Sequence, residues 1–93
     1  MMFIKVQKVS KKSDGELYLT EIRVNSKHIS FISENKQMSY DLIEGKVFKG
    51  MNPMARFSDI SVLTANGTQL ITVVGEPEII ENRINNSKRL LRG

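Results

Sequence analysis

Apolar and polar residues alternate along most of the chain, and this pattern predicts a protein built mainly from β-strands. Residues 2–9 place apolar side chains among lysines, and residues 16–24 (ELYLTEIRV) show a second strand-like run. The polar cluster at 10–15 (SKKSDG) ends in an Asp-Gly dipeptide that tolerates a positive φ, so it predicts a turn between these strands. The first third of the chain is therefore expected to form a hairpin.

The second of these strands has an irregular apolar pattern. Leu17 and Leu19 share one parity, whereas Ile22 and Val24 share the other. One extra residue in a strand moves all later side chains to the opposite face of the sheet. The pattern therefore predicts a β-bulge at positions 20–21.

Shorter elements follow. Residues 25–27 (NSK) break the strand, and Asn25 is suited to an Asx-turn with its own following backbone. Residues 28–33 (HISFIS) predict another strand, and 33–37 (SENKQ) a polar turn. The alternation within 38–43 (MSYDLI) predicts one more strand, so that the chain continues as a meander.

The segment 58–74 (SDISVLTANGTQLITVV) predicts a β-hairpin. Asn66 and Gly67 form the dipeptide favoured by a two-residue type I′ turn, in which both central residues have φ > 0. Such a turn would pair Ala65 with Thr68, and counting outward would pair Ile60 with Val73. One face of this hairpin then collects Ile60, Val62, Ile71 and Val73, and the other carries Leu63 and Leu70.

The C-terminal part predicts a helix that begins near Pro77, because proline is tolerated in the first turn. Acidic residues lie near its start and basic residues near its end, which complements the helix dipole. Together these elements predict a single α+β domain over residues 1–93. We expect a small twisted antiparallel sheet or SH3-like barrel of five or six strands with one C-terminal helix.

Composition narrows the possible functions. The chain lacks cysteine and has one histidine, His28, which excludes disulfides and multi-histidine metal clusters. No nucleotide-binding glycine loop or paired catalytic carboxylates occur. We therefore predict a non-enzymatic protein without catalytic residues, cofactor or metal, although an enzyme centred on His28 remains an alternative. The apolar runs are too short for a membrane span or signal peptide, and we expect a cytoplasmic location.

The net charge of +4 favours approach to an anion, and residues 44–57 carry a concentrated basic and aromatic group. This connection is long for so small a domain, so it is either a binding loop or a flap over the core. Aromatic and basic side chains suit the binding of a base and its phosphate, whereas methionines suit an adaptive protein contact. The predicted ligand-binding residues are Lys46, Phe48, Lys49, Arg56, Phe57, Asn66 and Arg83, and the predicted partner-binding residues are Met51, Met54 and Phe57.

Two segments, RVNSKHISFISE (23–34) and SVLTANGTQLITVVGEPEIIENRI (61–84), resemble the small FlbD-type flagellar family, in which the same order of strands, NG hairpin and C-terminal helix occurs. Composition and size are also similar to phage-encoded accessory proteins, including the signal-sequestering anti-Thoeris type. The latter resemblance implies an anti-defence role in which a nucleotide is held between subunits by aromatic and arginine side chains. If this resemblance holds, Phe57, Asn66 and Arg83 are the positions expected to contact the nucleotide.

Two functional hypotheses follow. The first is a phage- or mobile-element-type accessory factor that binds a nucleotide or nucleic acid through the basic and aromatic residues. The alternative is a protein-interaction module or inhibitor that regulates a host protein. The basic C-terminal residues 87–93 (SKRLLRG) suit a nucleic-acid contact or simply the helix dipole. The apolar residues on both hairpin faces predict a homo-oligomer.

Overall fold

The computed structural model describes the backbone of residues 3–92 and the side chains of residues 3–86. In chain order, these residues form strands, one 3₁₀ turn and two α-helices. They are β1 (Phe3–Lys11), β2 (Leu17–Asn25), the 3₁₀ turn (Ser26–His28), β3 (Ile29–Glu34), α1 (Lys36–Ile43), β4 (Phe57–Thr64), β5 (Gly67–Val74) and α2 (Pro77–Arg92).

The five strands form one antiparallel sheet with the order β2-β1-β5-β4-β3. β1 pairs with β2, and β5 pairs with β4, as two adjacent hairpins. The two hairpins meet where Lys8 pairs with Val73. The prediction of an α+β fold with a small antiparallel sheet and a C-terminal helix is confirmed.

The main core lies between one face of the sheet, here called the core face, and α2. Ile60, Val73 and Ile80 are completely buried there, with further apolar side chains from β1 and β2 around them. Gly75 lets α2 approach the sheet. Its φ is +122°, and a Cβ at this position would lie 3.2 Å from Cδ1 of Ile80. Glycine is therefore required here both for its backbone conformation and for space.

The β4–β5 hairpin forms with the expected faces but in a different register. Ile60 pairs with Ile71 rather than Val73, and Thr64 pairs with Gly67, so that Ala65 and Asn66 occupy the turn. Positive φ occurs at Gly67 and not at Asn66, so the type I′ prediction is wrong. The Thr64 hydroxyl explains the change, because it donates to the Gly67 carbonyl and accepts from the Asn66 N–H. The two-residue slip preserves parity, which leaves every side chain on its predicted face.

The predicted bulge in β2 is also wrong. β1 and β2 pair without interruption from Phe3↔Asn25 to Lys11↔Leu17. The parity changes because the apolar side chains of β2 lie on both faces of the sheet. Val24 is buried on the core face, whereas Leu17 is half-buried on the opposite face, here called the outer face. A register irregularity does occur, but between Ile29 and Phe31 in the β3–β4 pair.

Residues 38–43 form part of α1 and not the predicted strand. Asn35 caps this helix, since its side-chain oxygen accepts a hydrogen bond of 2.9 Å from the Met38 N–H. Leu42 is buried and lies one helical turn after Met38. Positions separated by four residues fit an alternating pattern as well as a helical one, so the pattern of this short segment did not distinguish a strand from a helix. The Asn35 cap favours the helix.

Candidate functional site

The connection between α1 and β4 is attached to the outer face by Phe57, the first residue of β4. Phe57 is completely buried, and the ring of Phe48 stacks on it with centroids 5.8 Å apart and planes inclined by 19°. Phe48 has a φ of +49°, which is rare for an aromatic residue. The stacking contact therefore holds the middle of the connection in a sparsely populated backbone conformation.

Backbone hydrogen bonds fix the same end of the connection. The Phe57 N–H donates to the Ser39 hydroxyl at 3.0 Å, and its carbonyl accepts from the Asn35 N–H at 2.8 Å. The Arg56 carbonyl accepts from the Gly75 N–H at 2.7 Å. The connection is thus joined to α1 on one side and to the end of β5 on the other.

Residues 44–57 are partly packed against the sheet, as expected for a flap, and the binding-loop expectation stays a prediction. Phe57 belongs to the interior, so its ring is not presented to a ligand or a partner in this structure. Phe48 and Met51 are half-buried, whereas 72% of Met54 is exposed. Lys46 and Lys49 are exposed as well. The connection therefore packs through its aromatic residues and displays its lysines and Met54.

The structure brings Lys46, Phe48 and Lys49 together in one cleft of about 720 Å³, here called the lysine cleft. The opposite wall comes from the end of the β1–β2 hairpin and includes Lys11 and Leu17. Lys11 was not among the predicted site residues. The Lys-Lys pair next to the Asp-Gly turn was the sequence signal for it, but only the fold shows that this turn lies beside residues 46–49.

The lysine cleft is predominantly positive. Its one acidic residue, Glu16, already lies 3.6 Å from the ammonium nitrogen of Lys12. Lys11, Lys46 and Lys49 form no ion pair with any side chain that the structure describes. Three unpaired ammonium groups beside an aromatic ring are suited to an anion that also has a planar apolar part.

Arg56 and Arg83 line a different cleft, of about 250 Å³, which we call the arginine–methionine cleft. Met54 and Ile79 line it, and so does Glu76. Arg83 also lines a neighbouring cleft of about 390 Å³, together with Lys5. Five of the seven predicted ligand-binding residues are therefore divided between two clefts rather than gathered in one.

Other predicted residues lie outside both clefts. Asn66 is exposed at the β4–β5 turn, where its N–H bonds to Thr64. His28 is exposed at the end of the 3₁₀ turn and lines a separate cleft of about 340 Å³ beside Phe3 and Val62. The prediction for the basic residues 87–93 concerns side chains outside the described part of the chain.

An apolar cluster lies on the outer face of the β3–β4–β5 part of the sheet. Phe31 pairs with Ser61, which pairs with Leu70, so these three residues form one row across the strands. Leu63 lies two residues from Ser61 on the same face. Phe31, Leu63 and Leu70 are each more than half exposed, and we call them the outer-face patch.

The exposed side of α1 carries the group whose pKa is shifted. A hydrogen bond to the Glu44 side chain raises the pKa of Tyr40 above its usual value, and desolvation and the negative charge of Asp41 act in the same direction. Asp41 and Glu44 make the end of α1 acidic, in contrast to the lysine cleft.

Among the described residues, no group of three or more histidine, aspartate or glutamate side chains is placed to hold a metal ion. Neither helix, over the part described, combines the length and apolar character needed to cross a membrane. Comparisons of the chain with protein-family models, with curated proteins and with solved structures find no match.

Proposed function

We propose that this protein is a non-enzymatic binding protein for a phosphate-bearing ligand, a nucleotide or a nucleic acid, and that the ligand binds in the lysine cleft. The observation that supports this proposal is the convergence of Lys11, Lys46 and Lys49 on one cleft, from two segments that are distant in sequence. Their charges attract phosphate, and no described side chain neutralises them.

Phe48 gives the proposed site its second component. Its ring lines the lysine cleft and is held by Phe57, so little conformational freedom is lost when a base stacks on it. Stacking on an aromatic side chain tolerates any base, so we expect weak discrimination between bases. The role as a phage-type anti-defence factor stays a prediction of the resemblance, which implies a nucleotide held between subunits as the ligand.

Titration with defined ligands tests the proposal. The probes are single-stranded RNA, single-stranded DNA, mononucleotides and cyclic nucleotides, each at low and at high ionic strength. We expect at least one class to bind at low salt, and the class that binds distinguishes a polymer from a small ligand. The absence of binding by every probe at low salt would overturn the proposal.

Charge variants locate the binding. For an oligonucleotide, the double variant Lys46→Gln/Lys49→Gln is expected to reduce the slope of log affinity against log salt by roughly 1.4, because two phosphate contacts are lost. The matched control is Lys27→Gln/Lys36→Gln, which removes the same charge from exposed positions outside the lysine cleft. Equal effects of both variants would show that only net charge matters and would contradict the assignment of the cleft.

We also propose that copies of the chain associate through the outer-face patch. The cross-strand row of Phe31, Ser61 and Leu70 contains no charged residue, so two copies of the patch can meet without like-charge repulsion although each chain carries +4. Small domains frequently gain stability by burying such surfaces between subunits.

Native mass spectrometry tests this association. We expect the unmodified chain to be oligomeric and the variant Leu63→Ser/Leu70→Ser to be monomeric with its fold retained, because both side chains are exposed in the single chain. Tyr18→Ser, at another exposed site, is the control and is expected to remain oligomeric. A monomeric unmodified chain across the accessible concentrations would contradict the proposal.

A further inference from the structure

We infer that the arginine–methionine cleft is a second site, which binds a protein segment with an apolar side chain flanked by carboxylates. Met54 is exposed to 72% and Ile79 to 41%, and these side chains come from different elements. Single exposed apolar residues are common on protein surfaces and need no explanation. Two of them in one cleft with Arg56 and Arg83 form a mixed apolar and cationic surface, which is the composition typical of interface centres.

Both guanidinium groups are held in place by backbone carbonyls. Nη1 of Arg56 donates to the Ala55 carbonyl at 3.0 Å and to the Pro53 carbonyl at 3.3 Å. Nη1 of Arg83 donates to the Lys5 carbonyl at 3.1 Å. The other guanidinium nitrogens of both residues have no bonding partner among the described residues.

This arrangement favours a carboxylate-bearing partner. A guanidinium group that is already oriented loses less conformational freedom when it binds a carboxylate, and its remaining N–H groups have the geometry to do so. Methionine adapts to side chains of different shape, so Met54 can accept several apolar residues. The partner is thus recognised by charge together with an apolar contact, whereas the lysine cleft offers cations and an aromatic ring.

Glu76 provides an internal test, because its carboxylate lines the same cleft and repels an acidic segment. The helix uses the backbone carbonyl of Glu76, which accepts from the N–H groups of Ile79 and Ile80, and a side-chain change leaves these bonds in place. Glu76→Gln should therefore increase affinity for an acidic peptide by about two- to five-fold, and Arg56→Gln or Arg83→Gln should decrease it by a similar factor.

The experiment measures fluorescence anisotropy of three short labelled peptides with the full chain. The first contains leucines flanked by aspartates, the second replaces the aspartates by asparagines, and the third replaces the leucines by serines. We expect measurable binding for the first peptide alone. Met54→Ala should weaken this binding several-fold, since it removes the exposed apolar contact. Circular dichroism confirms that each variant is folded.

The double variant Lys46→Gln/Lys49→Gln separates this inference from the proposed ligand site, and we expect it to bind the first peptide normally. Equal binding of all three peptides, or no binding of the first, would overturn the inference. Binding that depends on Lys46 and Lys49 but not on Arg56 or Met54 would also overturn it, because the peptide would then occupy the lysine cleft.

Discussion

The two faces of the sheet are built in different ways. On the core face, apolar side chains from several strands pack together with Ile80 and Ile84 of α2 as one continuous cluster. On the outer face, Phe57 is a buried side chain on which Phe48 stacks, and the Ser39 hydroxyl accepts a hydrogen bond from its backbone N–H. The same face also carries clefts, exposed apolar residues and lysines, and Asp59, which accepts hydrogen bonds from Asn35 and Thr72.

The residues that stabilise the fold are therefore largely different from the residues of the candidate binding site. A cluster to which many residues contribute gives the fold its stability, but it leaves no surface for a ligand. The connection between α1 and β4 is held by the stacking of Phe48 on Phe57 and by a few hydrogen bonds at its ends. Its lysines stay in solvent, but its position depends on few contacts. The core face should therefore tolerate conservative changes without loss of binding, and the outer face should not.

The largest expected effects come from truncation of one completely buried residue on each face, Phe57 on the outer face and Ile60 on the core face. Phe57→Ala and Ile60→Ala should each lower the free energy of unfolding by about 3–4 kcal/mol, measured by urea denaturation. A loss of less than about 1 kcal/mol for Phe57→Ala would show that the outer face contributes little to stability.

Milder changes at the same positions compare the faces directly. Phe57→Leu and Ile60→Val should each cost about 1 kcal/mol, so both proteins stay folded. Only Phe57→Leu should weaken binding in the lysine cleft, because it removes the ring on which Phe48 stacks. Equal affinities of the two variants would contradict the separation of the faces.

Gly75→Ala should have the next largest effect, about 1–3 kcal/mol. The new Cβ would lie 3.2 Å from Ile80 Cδ1, and the φ of +122° is strained for alanine. Thermal unfolding measures the loss. Gly67→Ala is the control, since its φ of +111° is similar but no atom lies within 4 Å of the added Cβ. A difference between the two variants isolates the packing of α2 from the backbone strain.

Ser39→Ala should cost about 1–2 kcal/mol, because the buried Phe57 N–H loses its acceptor. The change should also loosen the connection and so weaken ligand binding in the lysine cleft. Ser33→Ala, at an exposed position of β3, is expected to change neither property. A loss of stability without any change in affinity would mean that Phe57 positions the connection without help from α1.

Much of the fold follows from the alternation of side chains, because burial on one face of a sheet constrains parity strongly. The faces of β4 and β5 were therefore predictable even though their register was not. Register depended on the Thr64 hydroxyl, which bonds both to Asn66 and to Gly67 and moves the turn by one position along the chain. A side-chain hydrogen bond of this kind has no periodic signature.

The site was predictable in residue type but not in arrangement. The sequence identifies the basic and aromatic residues of 44–57, yet it cannot show that Phe57 packs inward or that Lys11 lies opposite Lys46. The first fact depends on the contacts of Phe57 with Phe48 and Ser39, and the second on how the β1–β2 hairpin lies against the connection. Contacts between segments distant in sequence arise from the tertiary fold, which local propensity does not encode.

The most direct test of the central claim is an amide ¹H–¹⁵N NMR titration with the tightest ligand of the nucleotide and oligonucleotide panel. We expect the largest chemical-shift changes on residues 11–17 and 46–49, and we expect both groups to shift with the same apparent affinity. Changes confined to 54–56 and 75–83, or shifts that leave 46–49 unaffected, would contradict the assignment of the lysine cleft as the binding site.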